Sequence, residues 1–121
     1  MTRYITLRSD GDYSSHADRT SLANFLSRVP GLHQVGPQEF RSASDQPWVS
    51  VVLAASDKNG NYRVGDEPPV NINVVELICS SGGDASWYHA LAGQIAEFLG
   101  WVAYEDHENR RVWPEDGSVG I

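Results

Sequence analysis

Residues 74–99, VVELICSSGGDASWYHALAGQIAEFL, decide the fold because they encode a strand, a glycine loop and a helix in direct succession. The run VVELIC is apolar except at Glu76, and its β-branched character favours a strand. A strand this apolar needs cover on both faces, so we expect it inside a sheet. Gly82 and Gly83 then supply the dihedral freedom of a tight loop.

The second half of this stretch predicts a helix over residues 84–99. Its apolar and aromatic side chains recur at steps of three and four residues, which places them on one helical face. Asp84 or Ser86 can cap the helix N-terminus, and Gly100 follows as a C-cap. Gly93 costs about 1 kcal/mol relative to alanine inside a helix, so we expect it to mark a close approach to the sheet. The recurring side chains are Trp87, Tyr88, Leu91, Ile95, Phe98 and Leu99.

The rest of the chain shows one more helix and several strands. Residues 18–29 have helical spacing, with Ser14, Ser15 or Asp18 as the cap. The Asn-Gly pair within residues 57–61 predicts a hairpin. Further strands are expected at residues 4–7, 32–42 (interrupted by Gly36-Pro37, which favours an edge), 48–55, 62–64, 101–104 and 110–113.

This order of elements favours the α+β class. We predict a mainly antiparallel sheet of five to six strands with two helices on one face, nearest to a ferredoxin-like variant. A chain of 121 residues is long enough to build a core without metal or disulfides. We therefore expect a single domain over residues 1–121, with a loose C-terminal tail from about residue 114.

The composition is acidic. Sixteen Asp and Glu against nine Lys and Arg give a net charge of -7, so the basic footprint of a nucleic-acid-binding protein is missing. No apolar run approaches the roughly 20 residues of a membrane span, and no basic stretch precedes an apolar one near the start. With Cys79 as the single cysteine, we expect a cytoplasmic protein that binds neither nucleic acid nor membrane.

No stretch carries a catalytic or metal-binding motif, so we predict no enzymatic activity, no cofactor and no metal. Cys79 precedes a helix start, where a thiolate can be activated, and His89 or His107 could serve as its base. The competing interpretation is a small apolar side chain that ends a buried strand. A ligand-binding domain or enzyme that uses Cys79 and His89 near the N-terminus of helix 84–99, together with Asp84, remains the alternative.

The tryptophans and acids point instead to protein binding. Core packing is expected for Trp48, Trp87 and Trp101, whereas Trp113 stands beside an acidic tail and is expected to be partly exposed. Exposed aromatic residues beside acids are typical of protein-binding surfaces. The predicted contacts are Glu105, Asp106, Glu108, Trp113, Glu115 and Asp116, with Asp66, Glu67 and the hairpin tip at residues 59–62 as a second patch.

In its acidic balance, its tryptophan and tyrosine content and its lack of a catalytic motif, the whole chain resembles the small acidic immunity proteins of bacteria. These are the antitoxin partners of polymorphic and contact-dependent toxins. The resemblance implies a non-catalytic protein that caps a cognate toxin, in many cases a basic nuclease. An acidic surface would steer such a cationic partner, although solubility alone also explains the charge. Oligomerisation through an edge strand at residues 32–42 is a third alternative.

Overall fold

The computed structural model describes residues 2–10, 13–57, 59, 62, 68–80, 85–105 and 110–113. No helix in this part of the chain is long and apolar enough to cross a membrane. The elements, in chain order, are β1 (Thr2–Arg8), β2 (Ala17–Asp18), α1 (Arg19–Leu26), β3 (Leu32–Gly36), β4 (Glu39–Ser42), β5 (Val49–Ala54), β6 (Asn71–Ile72), β7 (Val74–Ser80), α2 (Ala85–Leu99), β8 (Val102–Glu105) and β9 (Arg110–Trp113).

Seven of the strands form one antiparallel sheet in the order β3-β4-β5-β7-β1-β8-β9. β7 lies between β5 and β1, which confirms the prediction that the apolar run at residues 74–79 is an interior strand. The chain leaves β1, passes through α1, β3 and β4, and returns to the sheet core as β5, so β7 lies between β1 and β5. It then passes from β7 through α2 to β8, so β1 lies between β7 and β8. This interleaving is the split β-α-β arrangement of the predicted ferredoxin-like variant.

The α+β class is confirmed, but the predicted count of five to six strands is too low. Residues 32–42 form two strands, β3 and β4, because the chain turns after Gly36 and pairs back on itself. β3 is an edge of the sheet, as the Gly36-Pro37 pair predicted. β2 and β6 are two residues each and pair as a separate small sheet, which is too short to leave a periodic signal in the sequence.

The main core lies between the sheet and both helices. Alternation along β1 and β7 sends Ile5, Leu7 and Leu77 to the same side, where the helices cover them. α1 contributes Leu22 and Leu26 to this core. The larger side chains from the rest of the chain that pack here are Phe40, Val51, Leu53, Val75, Tyr88, Leu91, Ile95 and Trp101. We call this side of the sheet the helix face.

Each helix has one cap that the sequence predicts, α1 at its N-terminus and α2 at its C-terminus. Asp18 accepts a hydrogen bond from the Ser21 N–H at 2.9 Å and is therefore the α1 cap among the three candidates. α1 ends at Leu26, earlier than predicted, before the turn that contains Pro30 and Gly31. α2 ends at Leu99, and Gly100 follows with a φ of 73°, the left-handed conformation of a glycine C-cap.

The opposite side of the sheet, which we call the open face, is not covered by either helix. One end of it is covered by loop side chains, because Tyr13 and Tyr62 pack against Val52, Ala54 and Val74. The strand residues that alternate onto this face include Tyr4, Thr6, Arg8, Glu39, Arg41, Ser50, Glu76, Ile78, Ser80, Tyr104 and Arg111. The molecule therefore has two chemically different sides, a helical one and a half-open sheet.

Candidate functional site

Cys79, the candidate nucleophile, lies on the helix face of β7 with no exposed area. Burial raises the pKa of this thiol to about 12; Glu105 and Glu76 add to the rise, and Arg3 opposes it. The thiol donates to the Leu77 carbonyl at 3.8 Å. A protonated and inaccessible thiol cannot attack a substrate, so the geometry favours the interpretation that Cys79 ends a buried strand.

Glu105, predicted as a partner contact, is not a surface residue, since it is only 7% exposed. It stands opposite Ile5 on β8 and so points to the helix face, where its Oε1 lies 3.0 Å from the Arg3 Nε. The carboxylate is thus paired with Arg3 inside the fold. The other predicted acids, namely Asp66, Glu67, Asp106, Glu108, Glu115 and Asp116, lie outside the described residues, as do Asp84, His107 and most of the hairpin tip at residues 59–62.

Trp113 and His89, which the sequence assigned to different hypotheses, line one groove between α2 and β9. The groove has a volume of about 500 Å³. Trp113 is partly buried against the core, as predicted for it. The His89 Nε2 is buried and has no hydrogen-bond partner in the described part of the chain. The helical wall of the groove consists of Ser86, His89, Ala90, Gly93, Gln94 and Glu97.

The indole of Trp113 lies directly on the backbone of α2 at Gly93. A Cβ atom at position 93 would stand 3.0 Å from the Trp113 Cε3, closer than such contacts normally come. The expected close approach of Gly93 to the sheet is therefore real, and its partner is the last residue of β9. This contact fixes the indole as the wall of the groove opposite the helix.

A valine at position 93 tests this contact. We expect Gly93→Val to lower the free energy of unfolding by about 1–3 kcal/mol, because the added side chain must push the indole out of its place. In a Trp113→Ala background the same change should cost little, since the obstacle is gone. Urea unfolding of both single variants and the double variant measures this coupling. Equal costs in the two backgrounds would show that the indole does not lie on Gly93.

A second aromatic groove lies on the other side of the α2 C-terminal half. Phe25 of α1 stacks on Phe98 of α2, with ring centroids 4.4 Å apart. These two rings, with Gln94 and Glu97, line a groove of about 450 Å³. Glu97 thus stands between two aromatic walls. We call the surface made of Phe25, Ser86, His89, Ala90, Gly93, Gln94, Glu97, Phe98 and Trp113 the α2 face.

The α2 face is electrostatically negative. Glu97 is the one acidic residue of α2, and the helix contains no lysine or arginine. It lies in the last turn, where the free carbonyl groups give the helix a negative end that basic residues normally balance. Within the part of the chain that the structure describes, no lysine or arginine lines either groove. A cationic group would therefore be attracted to Glu97.

The expectation of core packing is wrong for Trp48, which is 49% exposed. The Ser80 N–H donates to the Trp48 carbonyl, so Trp48 continues the ladder and alternates onto the open face with Ser50. Trp101 is buried as expected, and Trp87 packs partly buried against the core. The sequence did contain a signal for the side on which Trp48 lies. Ser50, two positions later on the same side, is the polar residue of an otherwise apolar run.

No protein-family model, curated protein or solved structure matches this chain. The residues described by the structure contain no group of three or more His, Cys, Asp or Glu that could hold a metal ion. The candidate site is therefore defined by its own geometry, which is a pair of aromatic grooves around one carboxylate.

Proposed function

We propose that this chain is a non-catalytic binding protein of the immunity type, which neutralises a cationic toxin by docking its α2 face on the toxin. One observation carries the proposal: Glu97 stands between two aromatic grooves on a face whose described lining residues include no lysine or arginine. Binding by charge and aromatic contact is what such a surface can do without any catalytic group.

The chemistry of the α2 face suits basic side chains. An arginine or lysine can place its charge on the Glu97 carboxylate while its aliphatic stem packs on Trp113 or Phe98. Aromatic residues at the centre of an interface provide most of its binding energy. Glu115 and Asp116 follow Trp113 by two and three positions in the sequence, and the net charge is -7, so a cationic partner would be steered toward this protein.

The aromatic walls are also held in place before any partner arrives. Trp113 rests on the backbone at Gly93, and Phe25 and Phe98 are stacked on each other. Side chains that are already ordered lose little conformational entropy on binding. The α2 face therefore has the preorganisation that a tight inhibitor needs.

A small-ligand-binding domain is the second candidate. The observation that favours it is the volume of the His89–Trp113 groove, about 500 Å³, which lies within the usual range for ligand pockets. Cys79 is not among the residues that line it, so a ligand there would be bound without the thiol. A ligand that raises the melting temperature of the wild type but not of Trp113→Ala would support this candidate.

The proposal is tested by capture from the native host at low salt, with the tagged protein as bait. We expect one basic partner that is released as salt rises, because charge pairing drives the encounter. Trp113→Ala should raise the dissociation constant for that partner by about 30-fold. Glu97→Lys should slow association by about tenfold at low salt.

Asp45→Lys is the matched control for Glu97→Lys. Asp45 is exposed and lines neither groove, so this variant changes the net charge equally without touching the α2 face. It should therefore bind far better than Glu97→Lys. The captured partner should also be toxic when expressed alone and harmless when co-expressed with the wild type. Equal losses in the two lysine variants, or a partner without toxicity, would contradict the proposal.

A further inference from the structure

A longer groove runs between α1 and α2 and includes part of the α2 face. One hollow of it is the groove lined by Phe25 and Phe98, described above. A second hollow, of about 240 Å³, lies nearer to the α2 N-terminus, where the turn after α1 meets Trp87 and Leu91. Gln94 lines both hollows, so they adjoin each other. We call the two hollows together the inter-helix groove.

The lining of the inter-helix groove is apolar and accessible. Phe98 is 46% exposed, Ala90 is exposed, and Leu91 is only 3% exposed and therefore lies at the bottom of its hollow. Among the described lining residues of both hollows, the polar ones are Gln94 and Glu97. Exposed apolar surface with a polar rim is where the apolar side chains of a protein partner bind.

The distance between the two hollows fits a bound helix. Leu91 lines one hollow and Phe98 lines the other, and seven residues of α2 correspond to about 10.5 Å along its axis. Side chains at positions i and i+7 of a second helix repeat at the same distance on one face, so each can enter one hollow. On one face of an extended segment the side chains recur at about 6.6 Å and about 13 Å. An extended segment that fills one hollow therefore misses the other.

The charge of the inter-helix groove differs between its ends. Glu97 lines the hollow at Phe98 and not the hollow at Trp87. It is exposed in the last turn of α2, where free carbonyl groups add to the negative potential. The described lining of the other hollow contains no charged residue. A complementary helix is therefore basic at the end that lies on Phe98 and apolar toward the other end.

We propose that the partner segment bound by this protein is an amphipathic helix that lies in the inter-helix groove. Apolar side chains seven positions apart fill the two hollows, and an arginine or lysine of the same helix pairs with Glu97. The inference deepens the function proposed above and rests on it, because it names the element of the toxin that docks. It also extends the docking surface beyond the α2 face to the turn after α1.

The test begins with selection of random displayed peptides on the immobilised full chain. Peptides of about 16 residues are long enough to hold two anchors two helical turns apart. We expect the enriched peptides to share apolar residues seven positions apart and a basic residue near one end. Synthetic copies should become helical when they bind the wild type, as circular dichroism of the complex measures.

Ala90→Glu separates a helix anchored in the groove from a cation held by charge alone. Ala90 is exposed on α2, so the variant should fold, and it lines the hollow near Trp87, so the new carboxylate occupies that hollow. The affinity of an anchored peptide should fall at least about tenfold, whereas a peptide held by charge alone would bind more tightly. Asn71→Glu is the matched control, because it adds the same charge at an exposed position outside the groove and should change affinity by less than about twofold.

Four outcomes would overturn the inference. They are a selection without enrichment, enriched peptides without the seven-residue repeat, peptides that stay extended when bound, and equal or tighter binding to Ala90→Glu. The proposed function fails by a different result, which is a captured partner without toxicity, and the peptide selection uses no toxin. The two failures are therefore distinguishable.

Discussion

Between pH 9 and pH 12 the wild type should lose up to about 4 kcal/mol of unfolding free energy that a Cys79→Ala variant does not lose. The reason is the buried thiol, whose pKa rises from 9.0 to about 12 on folding. Below pH 9 the thiol is protonated in both states and this stability is fully present. Above it, the unfolded chain releases the proton first, so stability falls as pH rises toward the folded pKa.

Urea unfolding of both proteins at intervals from pH 8 to pH 11 measures this difference. Cys79→Ala leaves a cavity, so we expect it to be the less stable protein at pH 8. The difference in unfolding free energy between the two proteins should then narrow by about 1.4 kcal/mol per pH unit above pH 9. A thiol probe at pH 8 should leave native Cys79 unlabelled and label it in urea. If the difference in unfolding free energy stayed constant with pH, or if the native protein were labelled rapidly, Cys79 would be an accessible thiol and the enzyme hypothesis would regain support.

Asn73→Leu is expected to cost about 3 kcal/mol of unfolding free energy, because it removes the bonds that join three segments. Asn73 is buried, and its Oδ1 accepts from the Ser56 N–H at 2.7 Å. Its Nδ2 donates to the Ser56 carbonyl at 3.0 Å and to the Tyr13 carbonyl at 3.3 Å. Leucine has a similar size but would leave these backbone groups without their partner.

Asn71→Leu is the control, since it makes the same change at an exposed position of β6 and should alter stability by no more than about 0.5 kcal/mol. Asn73→Asp keeps an acceptor for the Ser56 N–H but sets its second carboxylate oxygen against the Ser56 and Tyr13 carbonyls, so it should cost at least as much as Asn73→Leu. Thermal and urea unfolding of the three variants gives this ranking. An Asn73→Leu protein as stable as Asn71→Leu would show that the buried amide does not hold the loops.

The parts of the fold that the sequence predicted are those with a long pattern. The run at residues 74–79 is apolar enough to demand an interior position, and α2 repeats its apolar residues over four turns. The short last strand, Arg110–Trp113, also lies at the residues predicted for it. In each case local propensity and burial favour the same structure, so these elements can be predicted from the sequence alone.

The errors at Trp48 and Glu105 share one cause, which is that burial depends on what covers a face. Trp48 opens an apolar run, but its side chain falls on the side of the sheet that neither helix covers. Glu105 opens an acidic run, but strand alternation turns its side chain inward to Arg3, which lies near the other end of the sequence. The candidate site was missed in the same way, because only the crossover of α2 brings His89 and Glu97 to Trp113.

The central place of β1 has a consequence for how the protein is made. β1 pairs with β7 and β8, and the bond from the Thr6 hydroxyl to the Glu76 carboxylate spans 70 positions. A ribosome therefore releases β1 long before either neighbouring strand exists. The nascent chain cannot close its sheet until α2 and β8 have emerged, and pairings between strands this distant in the sequence slow the folding of a domain.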